Sequence, residues 1–174
     1  DILCTGILDT EPRNQFAINL MGNIALNLDK NQVALRYFEE ARALAPEESA
    51  YWNNVGLALF KLNQLHEAEK FYRQALELKP DYGDAADNLG YLLVGRGASE
   101  EAVELHRKAA GLMPTASGPS INLAAAQESL GRLDEALKTL EEAKVRLPDV
   151  SDIHLMLANL LSNLYRTDEA EESL

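Results

Sequence analysis

Around Trp52, small and apolar side chains return at the spacing of one helix face. Trp52, Val55, Gly56 and Leu59 fall on one side, while Ala50, Asn54, Leu57 and Lys61 fall on the other. The outer set of the next such stretch is Asp84, Asn88, Tyr91 and Gly95, and of the one after it Gly118, Asn122, Ala125 and Ser129. The first stretch contributes Phe16, Leu20, Asn23 and Asn27. Leu, Ala, Glu, Lys and Gln fill these stretches and the segments between them, and all of them favour helix. The pattern predicts helices, each with one face to bury.

A longer period organises the helices. Pro12, Pro46, Pro80, Pro114 and Pro148 are spaced by 34 residues. Ala34, Ala68, Ala102, Ala136 and Ala170 keep that spacing, as do Ala41, Ala75, Ala109 and Ala143. Each period reads as helix, tight turn, helix and a break at proline, which cannot continue a helix. The units are 15–48, 49–82, 83–116 and 117–150, with 1–14 as the second-helix tail of an earlier unit and 151–174 as a partial one. Small residues fall where paired helices must approach closely: Gly22, Gly56, Gly90 and Ala124 on the first helix, and the Ala34 series on the second. Gly97 and Gly131 mark turns that need a left-handed residue, and Tyr165 holds the same register in the last unit. Ser99 and Thr167 are expected to cap second helices, and Glu67, Glu101, Glu135 and Glu169 to complement their dipoles.

These registers resemble the tetratricopeptide repeat family, whose 34-residue pattern is W-x2-L-G-x2-Y, then A-x3-F, then P. The stretch from Ser49 to Tyr82 matches best, with Trp52, Val55, Gly56, Leu59, Ala68, Tyr72, Ala75 and Pro80. The other units supply Gly22, Ala34, Phe38 and Pro46; Leu89, Gly90, Ala102 and Pro114; Leu123, Ala124, Ala136, Leu140 and Pro148; and Leu157, Ala158 and Ala170. The resemblance covers nearly the whole chain. It implies an all-α, right-handed superhelical solenoid of antiparallel helix pairs, in which first helices line a concave face. Neither end carries a polar cap, so further repeats or other domains are expected to flank the chain, and the uncapped ends are candidates for self-association.

Composition narrows the partners. The 174 residues include 28 acidic and 16 basic side chains, a formal net charge of −12, which disfavours nucleic acid and anionic membrane surfaces. The lone cysteine, Cys4, shares the register of Phe38 and Tyr72 and reads as a small buried hydrophobe; it allows no internal disulfide and fits a reducing compartment without establishing one. No apolar run is long enough to span a membrane. His106 holds the register of Phe38, Tyr72 and Leu140, and His154 that of Trp52, so both are expected in the core, with His66 solvated. No HExxH, paired cysteine, G-x-S-x-G or phosphate loop is present. Catalysis, metal and cofactor are therefore not expected within this segment.

The outer helix faces hold the binding candidates. Asn54, Asn88 and Asn122 recur once per unit, and a carboxamide can donate to and accept from any peptide backbone. The resemblance implies that such a ladder clamps the main chain of an extended ligand. Leu57, Asp84, Asp87 and Tyr91 stand beside it, with Phe16, Leu20 and Phe60 as apolar contacts. Relatives that grip acidic C-terminal tails use basic residues on successive first helices; here Asn19 and Asn23 replace the first basic–Asn pair, and Asp84 and Asp87 replace later basic positions. The expected ligand is an extended protein segment, neutral or basic rather than acidic. The leading function is a protein-interaction scaffold. Two others remain open: a substrate-recruiting region of a larger enzyme such as a glycosyltransferase, and a structural or oligomerising array.

Overall fold

The computed structural model describes residues 14–171, with side chains through 164. Within them are nine helices and no strand: α1 Gln15–Asn27, α2 Asn31–Leu44, α3 Ser49–Lys61, α4 Leu65–Leu78, α5 Gly83–Gly95, α6 Ser99–Leu112, α7 Gly118–Ser129, α8 Leu133–Arg146 and α9 Ser151–Glu171. They form two compact units, one ending at Asn88 and the other beginning at Leu89. In the first, α1 packs on α2, α2 on α3 and α3 on α4. In the second, α6 packs on α7, α7 on α8, and α9 on both α7 and α8. The architecture is the all-α array of helix pairs implied by the 34-residue period. Cys4, Pro12 and Leu174 lie outside the described residues.

Four turns inside the pairs share one device. Asp29, Asn63, Gly97 and Gly131 have φ of 55°, 60°, 79° and 74°. The residue after each donates its N–H back to the carbonyl five residues earlier: Lys30 to Ala25, Gln64 to Leu59, Ala98 to Leu93 and Arg132 to Gln127. This is a Schellman ending, which requires a left-handed residue; glycine accepts it freely, and Asn and Asp tolerate it. Tyr165 stands where the next such residue would fall, and a tyrosine is sterically disfavoured there. The expected turn is not made, and α9 runs unbroken from Ser151 to Glu171. Thr167 and Glu169, expected to open a second helix, therefore lie inside a continuous one. Ser99 also differs from expectation. It is the first helical residue, the cap position belongs to Ala98, and the Ser99 hydroxyl accepts from Ser129 at 3.3 Å. Glu67, Glu101 and Glu135 do sit in the first turns of α4, α6 and α8.

The core is built from one large residue and one small residue per pair. Phe38, Tyr72, His106 and Leu140 are buried on the second helices and share one register. A methyl group added to Gly22 would collide with the Phe38 ring. One added to Gly56 would lie 2.7 Å from Tyr72 Cε1, and one added to Gly90 would lie 2.8 Å from His106 Cε1. Ala124 tolerates its own methyl because the residue in the large register of that pair is Leu140, and the two share a core cluster. His106 is thus a core residue, as its register implies. His154 is not. It is exposed, with Nε2 2.7 Å from the Pro148 carbonyl. Half-buried Trp52 makes the matching bond, donating from Nε1 to the Pro46 carbonyl at 2.7 Å. Both rings bond the carbonyl of the proline before their helix, while Ile18, Ala86 and Ser120 in the same register are buried.

Two phenols, buried Tyr72 and half-buried Tyr82, make stability sensitive to alkali. Burial pushes Tyr72 well above the ordinary phenol value. Tyr82 is pushed from 10.0 to about 12 by burial, with the Asp84 and Glu48 carboxylates adding to it. Below the unfolded value both states are protonated and the neutral phenols stabilise the fold in full. Above it the unfolded chain ionises first, so stability falls as pH rises from 10 toward 12. Urea midpoints measured across that range are expected to drop steadily. Tyr72→Phe with Tyr82→Phe should flatten the decline, and an unchanged slope would assign it to other groups.

Candidate functional site

On the outer faces of the first helices, the first unit joins its asparagines into a chain. Asn54 on α3 donates from Nδ2 to Asn19 Oδ1 on α1 at 2.8 Å. Asn88 on α5 donates from Nδ2 to Asn53 Oδ1 on α3 at 3.0 Å. Asn53 closes the chain with a long donation of 3.5 Å to Asn54 Oδ1. The helical period explains the geometry. Asn19 and Asn53 hold one register, Asn54 and Asn88 the next, so each bond spans 35 residues, one period plus one. Asn53 is only 4% exposed. It belongs to the same 34-residue series as Asn19, and that spacing was the signal for it. Asn19 and Asp87, which hold the same register on either side of it, were expected at the site, and Asn53 was not.

The other candidates of this unit stand around the chain. Asn23, Leu57 and Asp87 are half-buried, and Asp84 is exposed. Phe16 and Leu20 extend α1 into solvent at 71% and 48% exposure, an apolar surface beside the carboxamides. The second unit brings Tyr91 and Asn122 together. With Val94, Gly95, His106 and Ala125 they line a concavity of about 240 Å³ between α5 and α7, floored by α6. Tyr91 is 58% exposed, a large ring held at the mouth of a mostly apolar recess. His106 and Val94 in its lining were not among the residues expected there. The core register of His106 hid it, because the imidazole edge is seen only once α5 carries Gly90 rather than a side chain, whereas Val94 holds the outer-face register of Phe60.

Among the described residues no group of His, Cys, Asp and Glu is placed to hold a metal ion. No described helix is long and apolar enough to cross a membrane. The arrangement offers neutral hydrogen-bonding groups and exposed rings, which is the chemistry of recognition.

Two tetratricopeptide repeat models match the sequence, over residues 19–83 and 93–160. The chain belongs to the tetratricopeptide repeat family. Its described helices lie mostly inside these matches, and the family makes the array a protein-interaction scaffold. Solved structures show the same fold. A thermophilic TPR protein of Thermus thermophilus is similar at a TM-score of 0.80 and 22% identity, over 92% of this chain and 88% of that one. MamA is similar at 0.70 and 21%, over 83% and 85%. YrrB, described as a TPR protein with an unusual peptide-binding site, is similar at 0.72 and 18%, over 97% and 87%. No curated protein matches the chain by sequence.

Proposed function

We propose that this TPR array holds an extended segment of a partner protein on its first-helix faces, with asparagine carboxamides pairing with the partner's main chain. The asparagine chain of the first unit carries the reading. Each carboxamide has two N–H donors and an oxygen with two lone pairs. Asn54 uses one donor on Asn19 and one lone pair on Asn53, which leaves one of each directed by a rigid neighbourhood. Asn88 uses one donor on Asn53. A ligand backbone offers the complementary pattern whatever its side chains. Phe16, Leu20 and Leu57 add apolar contacts in this unit, and the recess at Tyr91 and Asn122 takes a side chain in the other. Asp84 and Asp87 favour neutral or basic ligand residues over acidic ones. A neighbouring fold with a peptide-binding site, that of YrrB, is consistent with this use.

Display selection from a random linear peptide library tests the proposal. Recovered peptides should be depleted in Asp and Glu. Asn54→Ala with Asn88→Ala should weaken the best peptide at least tenfold, and Asn122→Ala with Tyr91→Ala should weaken peptides that contact the second unit. Circular dichroism must show all variants equally helical. Affinity unchanged in both pairs would move the binding surface elsewhere, and an acidic consensus would overturn the charge preference.

A further inference from the structure

A second recess of the latter unit lies on the other side of α7. Ser120, Leu123 and Gln127 recur at helical spacing on that side, while Asn122 and Ala125 point the opposite way. The recess has a volume of about 390 Å³, within the range of about 300–1,000 Å³ usual for ligand sites. Ala110 and Gly111 of α6 and Thr139 of α8 form its walls, and Arg107, Lys138 and Arg146 stand at its rim.

The first unit shows what such a slot is shaped to hold. There Arg42 of α2, Trp52 of α3 and Phe71 of α4 meet. The rings of Trp52 and Phe71 lie 5.6 Å apart at 36°, and the Arg42 guanidinium lies 4.6 Å from the Trp52 ring and 5.7 Å from that of Phe71. Two periods further along the chain, these positions are Ala110, Ser120 and Thr139. All three line the recess. Where one unit carries its own indole, phenyl and guanidinium, the other carries three small side chains and an open slot.

The floor has also changed character. Gln127 replaces the register of Leu59, and both Ser120 and Gln127 are at least nine-tenths buried, at 2% and 3% exposure. Gln127 donates to Glu135 at 3.3 Å and accepts from Thr139 at 2.9 Å, and Ser120 accepts from Arg146 at 3.3 Å. Apolar surface persists in Leu123 and Ala110. Arg107 pairs with Glu104 and reaches Glu135 at 3.9 Å, which holds its guanidinium at the slot. A flat ring with a polar edge satisfies all of this. Its faces contact Leu123 and Ala110, its edge reaches Ser120, and an arginine lies over it as Arg42 lies over Trp52.

We propose that the slot between α6 and α8 over Ser120 and Gln127 is a docking site for a tryptophan or tyrosine side chain of a partner protein, filling the place that Trp52 and Phe71 fill in the first unit. It lies on the opposite side of α7 from the Tyr91 and Asn122 recess and stands whether or not that recess binds peptide.

Titration of the full chain with N-acetyl-tryptophanamide, followed by amide NMR, tests this. Ser120, Leu123, Gln127 and Thr139 are expected to shift together and saturably, in the millimolar range suited to one side chain. N-acetyl-leucinamide at equal concentration should leave them in place. Ala110→Arg with Ser120→Trp and Thr139→Phe rebuilds the plug and should weaken binding at least tenfold while raising the melting temperature. Thr139→Phe alone should do the same in smaller measure, should the triple variant fold poorly. Equal response to the leucine amide, undiminished binding by Thr139→Phe, or shifts confined to Tyr91 and Asn122 would each overturn the proposal. Tighter binding of adenosine or inorganic phosphate than of the tryptophan amide would also overturn it, by assigning the slot to a small metabolite or an anion.

Discussion

Tyr72→Ala is expected to lower the free energy of unfolding by about 3–5 kcal/mol, the cost of deleting a large buried ring. Tyr72 is 1% exposed and packs against Gly56, with no side chain between them to collapse into the gap. The reverse change, Gly56→Ala, adds a methyl 2.7 Å from the ring. Overpacking costs about 1–3 kcal/mol and the gain in helix propensity offsets about 1 kcal/mol of it, so the variant should be destabilised, but less than Tyr72→Ala. The chain already contains the compensated pair, Ala124 with Leu140. Gly56→Ala combined with Tyr72→Leu should therefore be more stable than the sum of the two single changes requires. Urea titrations followed by both circular dichroism and the fluorescence of Trp52 measure this, since repeat arrays can unfold unit by unit. Strict additivity would show that the ring and the glycine do not constrain one another.

Asn53→Ala is expected to cost about 1–3 kcal/mol and to weaken ligand binding on the first unit as well. The substitution removes the acceptor of the Asn88 bond at 3.0 Å and leaves a half-buried N–H without its oxygen. It also removes the donor held toward Asn54. Asn54 and Asn88, the groups proposed to meet the ligand backbone, then lose the neighbour that orients them. Asn27→Ala, at an exposed position near the end of α1, should leave both stability and binding within error of the parent. Chemical denaturation and peptide titration of the same two variants separate the effects. Loss of binding with full stability would make Asn53 a direct contact, and loss of stability with full binding would confine it to packing.

Much of the fold was legible in the chain. The proline and alanine series, one period apart, state where helices pair and end, because proline cannot continue a helix and only small residues allow close approach. The Gly22, Gly56 and Gly90 series marked close approach between paired helices, and the structure shows that what approaches is the side chain of Phe38, Tyr72 or His106. Gly97 and Gly131 marked left-handed turns correctly, and Asp29 and Asn63 fill the same role with less familiar residues. The lack of such a residue at Tyr165 was visible too, yet its consequence, an unbroken α9, was not drawn from the sequence alone.

The site divides differently. Sequence by itself determined which residues share an outer helix face, since the 3.6-residue turn and the 34-residue period act within one helix and one repeat. Whether a carboxamide on that face waits for a ligand or bonds to its neighbour depends on distances between helices, which no local pattern encodes. Only the tertiary structure joined Asn19, Asn53, Asn54 and Asn88 into one chain, exposed His154 where its register suggested burial, and opened a slot over Ser120 where Trp52 closes one. Periodicity fixes the register of a side chain, and packing decides what that register faces.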